Sequence, residues 1–292
     1  MSERYSIRTA GISAAIDAHG AELVSLRDAA GEELLWQAGP EWPRHAPVLF
    51  PIVGRLADDT LRHDGKTYSM GQHGIARDSL FTLAEKTPER VVLRLTECAA
   101  SLAQFPFGFV LDMIYAVEGA SLTVTARITN PGETVLPCGI GAHPGFRWPL
   151  ADGIAKEAHV LEFDTQETGV ALSVEGGLLG AEKKLPFDGR VLPLSEAVFA
   201  RDALVMPGVA SRSVRFVAKT REGDVARAIT VDWEGYEDLG IWSKPTGAPF
   251  LCIEPWLSMA SPVGWDGDFA DKPGLMHLAP GESRDVVWRV TT

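Results

Sequence analysis

The stretch Leu122-Thr123-Val124-Thr125-Ala126-Arg127-Ile128 places an apolar residue at every second position. Successive side chains of a β-strand point to opposite faces, so this alternation predicts a strand with one face toward a core. Segments of the same kind recur at 22–27, 91–96, 110–117, 212–219, 228–233 and 286–290. Gly, Pro, Asp and Glu separate them, rather than long helical patterns. The sequence therefore predicts an all-β protein.

Turn signals and one short helix complete this outline. Asp64-Gly65 predicts a two-residue hairpin turn, and Pro131-Gly132 predicts a second hairpin after the 122–128 strand. The best helix candidate is Leu194–Arg201, with Ser195 as its N-cap. No repeat, linker or charge block marks a boundary. We therefore expect residues 1–292 to form one domain, a two-layer sandwich rather than a barrel.

Composition narrows the classes of partner. The 292 residues include 27 basic and 39 acidic side chains, a net charge of −12, which is a poor match to nucleic acid or to an anionic membrane. No apolar run approaches the roughly 20 residues of a membrane span, and the first residues lack a signal pattern, so we expect a cytoplasmic protein. Cys98, Cys138 and Cys252 are too widely spaced to predict a disulfide framework or a zinc motif.

Common cofactor and hydrolase motifs are absent from the sequence. Gly139-Ile140-Gly141 begins like a dinucleotide-binding loop, but the third glycine and the following helix are missing. There is no Walker motif, no Gly-x-Ser-x-Gly and no His-Glu-x-x-His. Any chemistry must therefore rest on residues that the fold brings together.

Three segments combine a titratable side chain with Gly or Pro: 71–78, 139–146 and 250–256. In the second, glycines and Pro144 frame His143, a pattern that holds a side chain in one direction. In the third, Glu254 follows four apolar residues, so we expect it at the end of a buried strand with a raised pKa. The alternatives are a hydrogen-bonded structural histidine and a buried ion pair of the glutamate.

The segments 49–55, 72–77, 141–146 and 253–256, in this order along nearly the whole chain, resemble the aldose 1-epimerase (galactose mutarotase) family, and most of all its branch of LacX-type proteins. The resemblance implies a galactose mutarotase-like β-supersandwich of antiparallel sheets with a sugar cleft. It also implies interconversion of the α and β anomers of a hexose or hexose phosphate, with no cofactor or metal needed for catalysis.

The resemblance also assigns roles to single residues. Glu254 matches the base that takes the proton of the anomeric hydroxyl, and His143 matches the acid that protonates the ring oxygen. His73 and Arg55 match substrate-binding residues. Arg77, Asp202 and Trp256 are further substrate-binding candidates: Arg77 for a phosphate, with pairing to Asp78 as the alternative, Asp202 as a sugar-binding acid, and Trp256 for lining or stacking.

Ring opening of a hemiacetal requires one group that removes a proton and another that donates one. A protonated histidine beside an ionised glutamate supplies both near neutral pH, so we expect His143 and Glu254 to meet across a pyranose in a sugar-sized hollow. Attraction to the glutamate raises the pKa of His143 and burial lowers it, and the sequence leaves that balance open. Two alternatives remain: a non-catalytic sugar-binding or regulatory protein, and a glycoside hydrolase, which requires a second carboxylate.

Overall fold

The computed structural model describes residues 3–292, which form antiparallel strands joined by turns and short helical segments. The strands are β1 (Arg4–Arg8), β2 (Ile12–Asp17), β3 (Leu23–Asp28), β4 (Val48–Leu49), β5 (Thr60–His63), β6 (Lys66–Ser69), β7 (Thr82–Lys86), β8 (Arg90–Thr96), β9 (Val110–Glu118), β10 (Ser121–Thr129), β11 (Leu136–Cys138), β12 (Ile140–Ala142), β13 (Gly145–Arg147), β14 (His159–Glu167), β15 (Val170–Glu175), β16 (Leu178–Lys184), β17 (Gly189–Pro193), β18 (Leu204–Met206), β19 (Ser213–Lys219), β20 (Val225–Glu234), β21 (Asp238–Trp242), β22 (Phe250–Leu257), β23 (Met276–Leu278) and β24 (Ser283–Thr291). The helical segments are α1 (Ala99–Leu102) and 3-10 turns at Ala57–Asp59, Ala76–Asp78, Lys156–Ala158, Glu196–Phe199 and Phe269–Asp271. The predicted all-β class is confirmed.

Nine strands form one large sheet in the order β17-β14-β19-β20-β24-β10-β9-β8-β7. Strand β10 lies near its centre, and its apolar residues are buried while the alternate residues are partly exposed, as the period of two predicts. Across the ladder Val124 pairs with Trp288 of β24 and with Tyr115 of β9. Six of the seven strands predicted from alternation belong to this sheet, and the seventh corresponds to β3.

The second large sheet has the order β16-β15-β18-β21-β22-β12-β4, and β13 also pairs with β22. Its central strand β22 has the sequence FLCIEPWL, and all eight residues are buried. Because both of its faces are covered, β22 carries an almost continuous apolar run rather than an alternating one. The functional candidates of the segment 250–256 therefore lie inside the molecule.

The two large sheets face each other across a packed core. A gap of only about 10 Å³ between them is lined by Met113 and Val124 of one sheet and by Ile140 and Ala142 of the other. The small sheet β1-β2-β3 packs against β8, β9 and β10. None of the helices described between residues 3 and 292 is both long enough and apolar enough to cross a bilayer.

The turn at Asp64-Gly65 is confirmed: both residues have positive φ, and they join the paired strands β5 and β6. The hairpin predicted at Pro131-Gly132 is wrong, because β10 pairs with β9 and β24, whereas the next strand, β11, pairs with β23. Asn130 organises this loop instead: its side-chain amide donates to the carbonyls of Thr134 and Leu278 and accepts from the Gly132 N–H.

The helix predicted at Leu194–Arg201 is reduced to the 3-10 turn Glu196–Phe199. Ser195 occupies the N-cap position with extended backbone angles, but its side chain makes no capping hydrogen bond. So short a segment has too few backbone hydrogen bonds to propagate as an α-helix.

Candidate functional site

The site is built on the central strand of the second large sheet. Glu254 lies in the middle of β22, not at its end as predicted, and is 1% exposed. β12 pairs Gly141 with Trp256, and β13 pairs Gly145 with Cys252. The two registers are continuous through the irregular His143-Pro144 step, so His143 falls directly opposite Glu254. Residues opposite each other in antiparallel strands project to the same face, and this places the two side chains together.

His143 and Glu254 are in direct contact, with the Nε2 of the histidine 3.2 Å from the Oε2 of the glutamate. Both line an open cavity of about 340 Å³, a size suited to a small ligand such as a monosaccharide. The prediction that the pair faces one sugar-sized hollow is thus met. The expectation that the two groups meet across the ring is wrong, because they lie side by side on one wall of the cavity.

Burial dominates the electrostatics of this pair. It lowers the pKa of His143 to about 3 and raises the pKa of Glu254 well above its usual range, because a low-dielectric environment disfavours both charged forms. The nearby charge of Asp202 raises the pKa of Glu254 further. Burial thus favours the uncharged forms of both groups, a protonated carboxyl beside a neutral imidazole. Burial therefore opposes the protonated histidine and ionised glutamate that the sequence led us to expect.

His73 lies beside this pair, with its ring perpendicular to that of His143 at a centroid distance of 5.6 Å. The backbone N–H of Gly54 donates to Nδ1 of His73 at 3.1 Å. Burial first, and then the charges of His143 and nearby arginines, lower the pKa of His73 well below its usual range. The ring is therefore neutral, and because Nδ1 accepts, its proton is on Nε2. His73 lines the cavity as a hydrogen-bond donor.

The arginine candidates occupy two different positions. Arg77 lines the cavity, and its Nε lies 3.5 Å from Asp78, which also accepts a hydrogen bond from Arg44 at 2.8 Å. Burial and the charge of Arg44 lower the pKa of Arg77. Arg55 is not among the lining residues: it pairs with Asp59 and packs its aliphatic stem against Gly177, which does line the cavity. Arg55 thus lies at the rim.

Trp256 and Asp202 complete the set of predicted residues, and both line the cavity. The indole N–H of Trp256 lies close enough to the Glu254 carboxyl to lower its pKa, against the larger effect of burial. Two glycines on the neighbouring strands make room for its ring, because a Cβ at Gly240 or Gly141 would lie 2.3 or 2.8 Å from it. Asp202 is exposed, with φ +85°, a value that an L-residue rarely adopts.

Comparison with known proteins identifies the family. The family model described as aldose 1-epimerase matches residues 3–286. The chain belongs to the aldose 1-epimerase family. One curated relative is the chromosomal protein LacX of Lactococcus lactis subsp. lactis. The two chains are 31% identical over 283 residues, and the match covers 93% of each.

Solved structures show the same fold for this aldose 1-epimerase family member. A galactose mutarotase related enzyme from Lactobacillus acidophilus is 32% identical, with a TM-score of 0.90 over 99% of this chain and 97% of that one. A galactose mutarotase-like protein from Lactobacillus casei is 27% identical, with a TM-score of 0.90 over 99% of both chains. The predicted galactose mutarotase-like β-supersandwich is therefore confirmed.

Sequence reasoning missed two residues near the cavity. Trp42 stacks on His143 at a ring-centroid distance of 4.9 Å and lines the cavity. Arg44 reaches Asp78 from the same irregular segment between β3 and β4. The only sequence feature that could have indicated them is Glu41-Trp-Pro-Arg-His45, which places an aromatic and two basic residues on a proline-containing loop. Of the other tryptophans, Trp242 lines the cavity and Trp148 is fully buried in the core.

Proposed function

We propose that this chain is an aldose 1-epimerase that interconverts the α and β anomers of a hexose or hexose phosphate, with Glu254 as base and His143 as acid. The observation that carries the proposal is the direct contact of these two groups at 3.2 Å in a sugar-sized cavity. The anomeric oxygen and the ring oxygen of an aldose are bonded to the same carbon. A base and an acid that act on them must therefore be neighbours, and this explains why side-by-side placement serves the reaction.

The proposed reaction conserves the proton count of the pair. Glu254 takes the proton of the anomeric hydroxyl while His143 gives one to the ring oxygen, the bond from C1 to that oxygen breaks, and an open-chain aldehyde forms. Rotation about C1–C2 and closure with the roles reversed give the other anomer. While the sugar is open, the proton is on Glu254 and His143 is neutral, which is the arrangement that burial favours in the free cavity.

Reaction of the cyclic sugar requires an ionised Glu254 beside a protonated His143, the charge distribution that burial disfavours. Both groups are in contact, so a proton passes between them without exchange with solvent. The neutral His73, which presents its Nε2 proton to the cavity, is placed to donate to a sugar oxygen. We assign it a binding and polarising role, with Trp256, Asp202, Arg77 and, from the rim, Arg55 as further substrate contacts.

The positive charge of Arg77 and Arg44 beside the cavity suits an anionic sugar. Arg77 and Arg44 share a single carboxylate, Asp78, so one positive charge beside the cavity is not balanced within this group. A planar guanidinium binds a phosphate through two parallel hydrogen bonds. We expect a hexose 6-phosphate to react with a lower KM than the free hexose, and Arg77→Gln to remove that difference.

The experiment follows anomer interconversion by polarimetry or NMR, with free and 6-phosphorylated glucose and galactose presented as single anomers. An acceleration above the buffer rate that is lost in Glu254→Gln supports the epimerase. A protein that binds these sugars without accelerating their mutarotation is instead the non-catalytic sugar-binding alternative.

One observation keeps the glycoside hydrolase alternative in view: Asp202 supplies a second carboxylate in the same cavity as Glu254. Hydrolysis with two carboxylates requires both, one as acid and one as base or nucleophile. Release of nitrophenol from nitrophenyl glycosides, abolished by Asp202→Asn, would favour hydrolysis. We expect no such release, and we expect Asp202→Asn to raise KM while mutarotation persists.

A further inference from the structure

A third side chain lies beside the proposed catalytic pair and has no part in the reaction. Cys252 precedes Glu254 by two residues in β22, so both side chains project from the same face of the strand. Its neighbour across the ladder is Gly145, which carries no side chain, and its Sγ would lie 3.5 Å from a Cβ built there. Cys252 is fully buried and is not among the residues that line the cavity.

Together, His143, Cys252 and Glu254 offer an imidazole nitrogen, a sulfur and a carboxylate oxygen that all lie within 4.8 Å of one another. The ligand atoms around a tetrahedral Zn²⁺ are about 3.2–3.8 Å apart, given metal–ligand bonds of about 2.0–2.3 Å. The separation of 3.2 Å between His143 and Glu254 already falls in this range. A movement of at most about 1 Å brings the sulfur into it.

We infer that this face of β22 binds a thiophilic divalent cation, Zn²⁺, through His143, Cys252 and Glu254, and that the bound cation excludes the sugar. The cation site itself rests on geometry alone, whereas the exclusion of the sugar rests on the proposed function. Three protein ligands with a fourth position open to a cavity is the arrangement found in many zinc sites. Here the same two side chains serve either the cation or the sugar, so the cation acts as a reversible inhibitor and not as a cofactor.

Charge balance favours occupation of this site. The Cys252 thiolate and the Glu254 carboxylate together neutralise a divalent cation, and buried charges are stable when they are paired or bound to metal. Binding releases the thiol proton and the single proton of the His143–Glu254 pair to the solvent. Arg77 and Arg44 share the single carboxylate of Asp78, and the one positive charge left beside the cavity opposes a cation.

The other cluster of potential ligands described between residues 3 and 292, His63, Asp64 and Asp268, lacks these properties. Both oxygens of Asp268 already accept hydrogen bonds, from His63 and from the backbone of Asp64 and Ala270. The side chain of Asp64 is 86% exposed. Because this cluster has no sulfur, its spectrum differs from that of the Cys252 site, and it serves as an internal control.

The test uses Co²⁺ alone as the probe, added to metal-free Cys98→Ser protein. This background removes Cys98, the exposed free thiol. We expect one equivalent of Co²⁺ to produce a near-ultraviolet thiolate-to-cobalt band and the visible bands of tetrahedral cobalt, and Zn²⁺ to displace it. A spectrum without the thiolate band would overturn the site.

The matched variant adds Cys252→Ser to this background, an isosteric change that exchanges sulfur for a poor zinc ligand. We expect loss of the thiolate band and a Zn²⁺ affinity lower by at least about 100-fold, since even outer-shell changes cost about 10–100-fold. Persistence of the band would assign the thiolate to Cys138 and overturn the inference. If this variant does not fold, Glu254→Gln in the same background replaces it, and an unchanged Zn²⁺ affinity there overturns the inference equally.

Mutarotation measured with and without Zn²⁺ separates the site from the proposed function. We expect Zn²⁺ to suppress the rate of Cys98→Ser protein and to leave the double variant with Cys252→Ser uninhibited. A bound cation that leaves the rate unchanged overturns the exclusion of sugar. A metal-free protein without mutarotase activity contradicts the proposed function instead, and the cobalt spectrum still decides the site.

Discussion

The two large sheets obey different rules. In the nine-stranded sheet, strand β10 alternates buried and partly exposed residues, and its outer face carries ion pairs such as Arg127–Asp285. In the other sheet, β22 is buried along its whole length and carries Cys252, Glu254 and Trp256 on one face. In our proposal the first sheet is the scaffold and the second holds the catalytic pair. Substitutions in the two sheets should therefore affect different observables, stability in one and turnover in the other.

The largest effect is expected for Glu254→Gln, which we predict to lower kcat by about 10²–10⁴-fold, because a base in a proton transfer contributes about that much. The folded state should be unaffected or stabilised, since a neutral amide replaces a buried acid. Initial mutarotation rates and thermal unfolding measure both properties. Glu167→Gln is the control, a buried carboxylate outside the cavity that accepts from the Ala210 and Ser211 backbone. Equal rate losses in both variants would contradict a role for Glu254 in turnover.

The converse effect is expected in the scaffold sheet. Ile128 of β10 is fully buried, and Ile128→Ala should lower the free energy of unfolding by about 2–5 kcal/mol, through lost burial and a cavity. Ile128 belongs to the other sheet and does not line the cavity. The kcat should therefore stay within about twofold at temperatures where the variant is folded. Urea denaturation with a rate measurement tests both, with Thr125→Ala on the outer face as control. A large loss of kcat in a fully folded variant would contradict the assignment of stability effects to one sheet and turnover effects to the other.

The pH dependence of turnover should reflect the titration of His143 and Glu254 and not the stability of either sheet. The raised pKa of Glu254 means that the single shared proton is present below that pKa and lost as the pH rises through it. The rate should therefore fall about tenfold per pH unit above the raised pKa of Glu254, once no proton is left for the ring oxygen. The acid limb from His143 lies near pH 3. An acid limb at the ordinary glutamate pKa would instead indicate an ionised carboxylate in the free protein.

A smaller effect is expected for Gly240→Ala. The new methyl would lie 2.3 Å from the Trp256 ring, and such overpacking costs about 1–3 kcal/mol. Displacement of the indole should raise KM more than it lowers kcat, because we assign Trp256 to sugar binding and not to proton transfer. Gly169→Ala is the control, since nothing lies within 4 Å of its Cβ position. An unchanged KM would remove Trp256 from the binding site.

The smallest effect is expected on the outer face of the scaffold sheet. Arg127 and Asp285 form a bidentate pair across β10 and β24 at 2.7–2.8 Å, but both side chains are substantially exposed. Arg127→Ala should change the free energy of unfolding by less than about 1 kcal/mol, and by less still at high salt. Urea denaturation at two salt concentrations measures it. A larger loss would mean that this face also carries part of the fold's stability.

The same contrast explains what the sequence could and could not predict. Alternation identified strands such as β10 and β24 because water on one side of the sheet imposes a period of two. It identified no strand of the second large sheet, where the burial of β22 on both faces removes that signal. Glu254 was found there through its motif and not through periodicity. Its mid-strand position was missed because an apolar run gives no sign of where a strand ends.

Within the site, residue identities were more predictable than geometry. His73, His143, Arg77, Asp202, Glu254 and Trp256 all line one cavity, whereas Arg55 lies at its rim. The register that sets His143 opposite Glu254 depends on pairing between segments more than 100 residues apart along the chain, which local sequence does not encode. The charge state of the pair depends on desolvation, which is likewise a property of the folded molecule. Trp42 and Arg44 lie on a loop without regular pattern, where neither periodicity nor motif applies.

The continuous register through His143-Pro144 has a consequence for how this chain tolerates insertions and deletions. One residue added or removed between Gly141 and Gly145 would either break the ladder with β22 or turn the imidazole to the opposite face of the sheet. A length change in the loop around Asn130 leaves that pairing untouched, since the loop lies outside it. Chain length is therefore as strict a requirement of the site as residue identity, and homologues that vary in length must do so elsewhere.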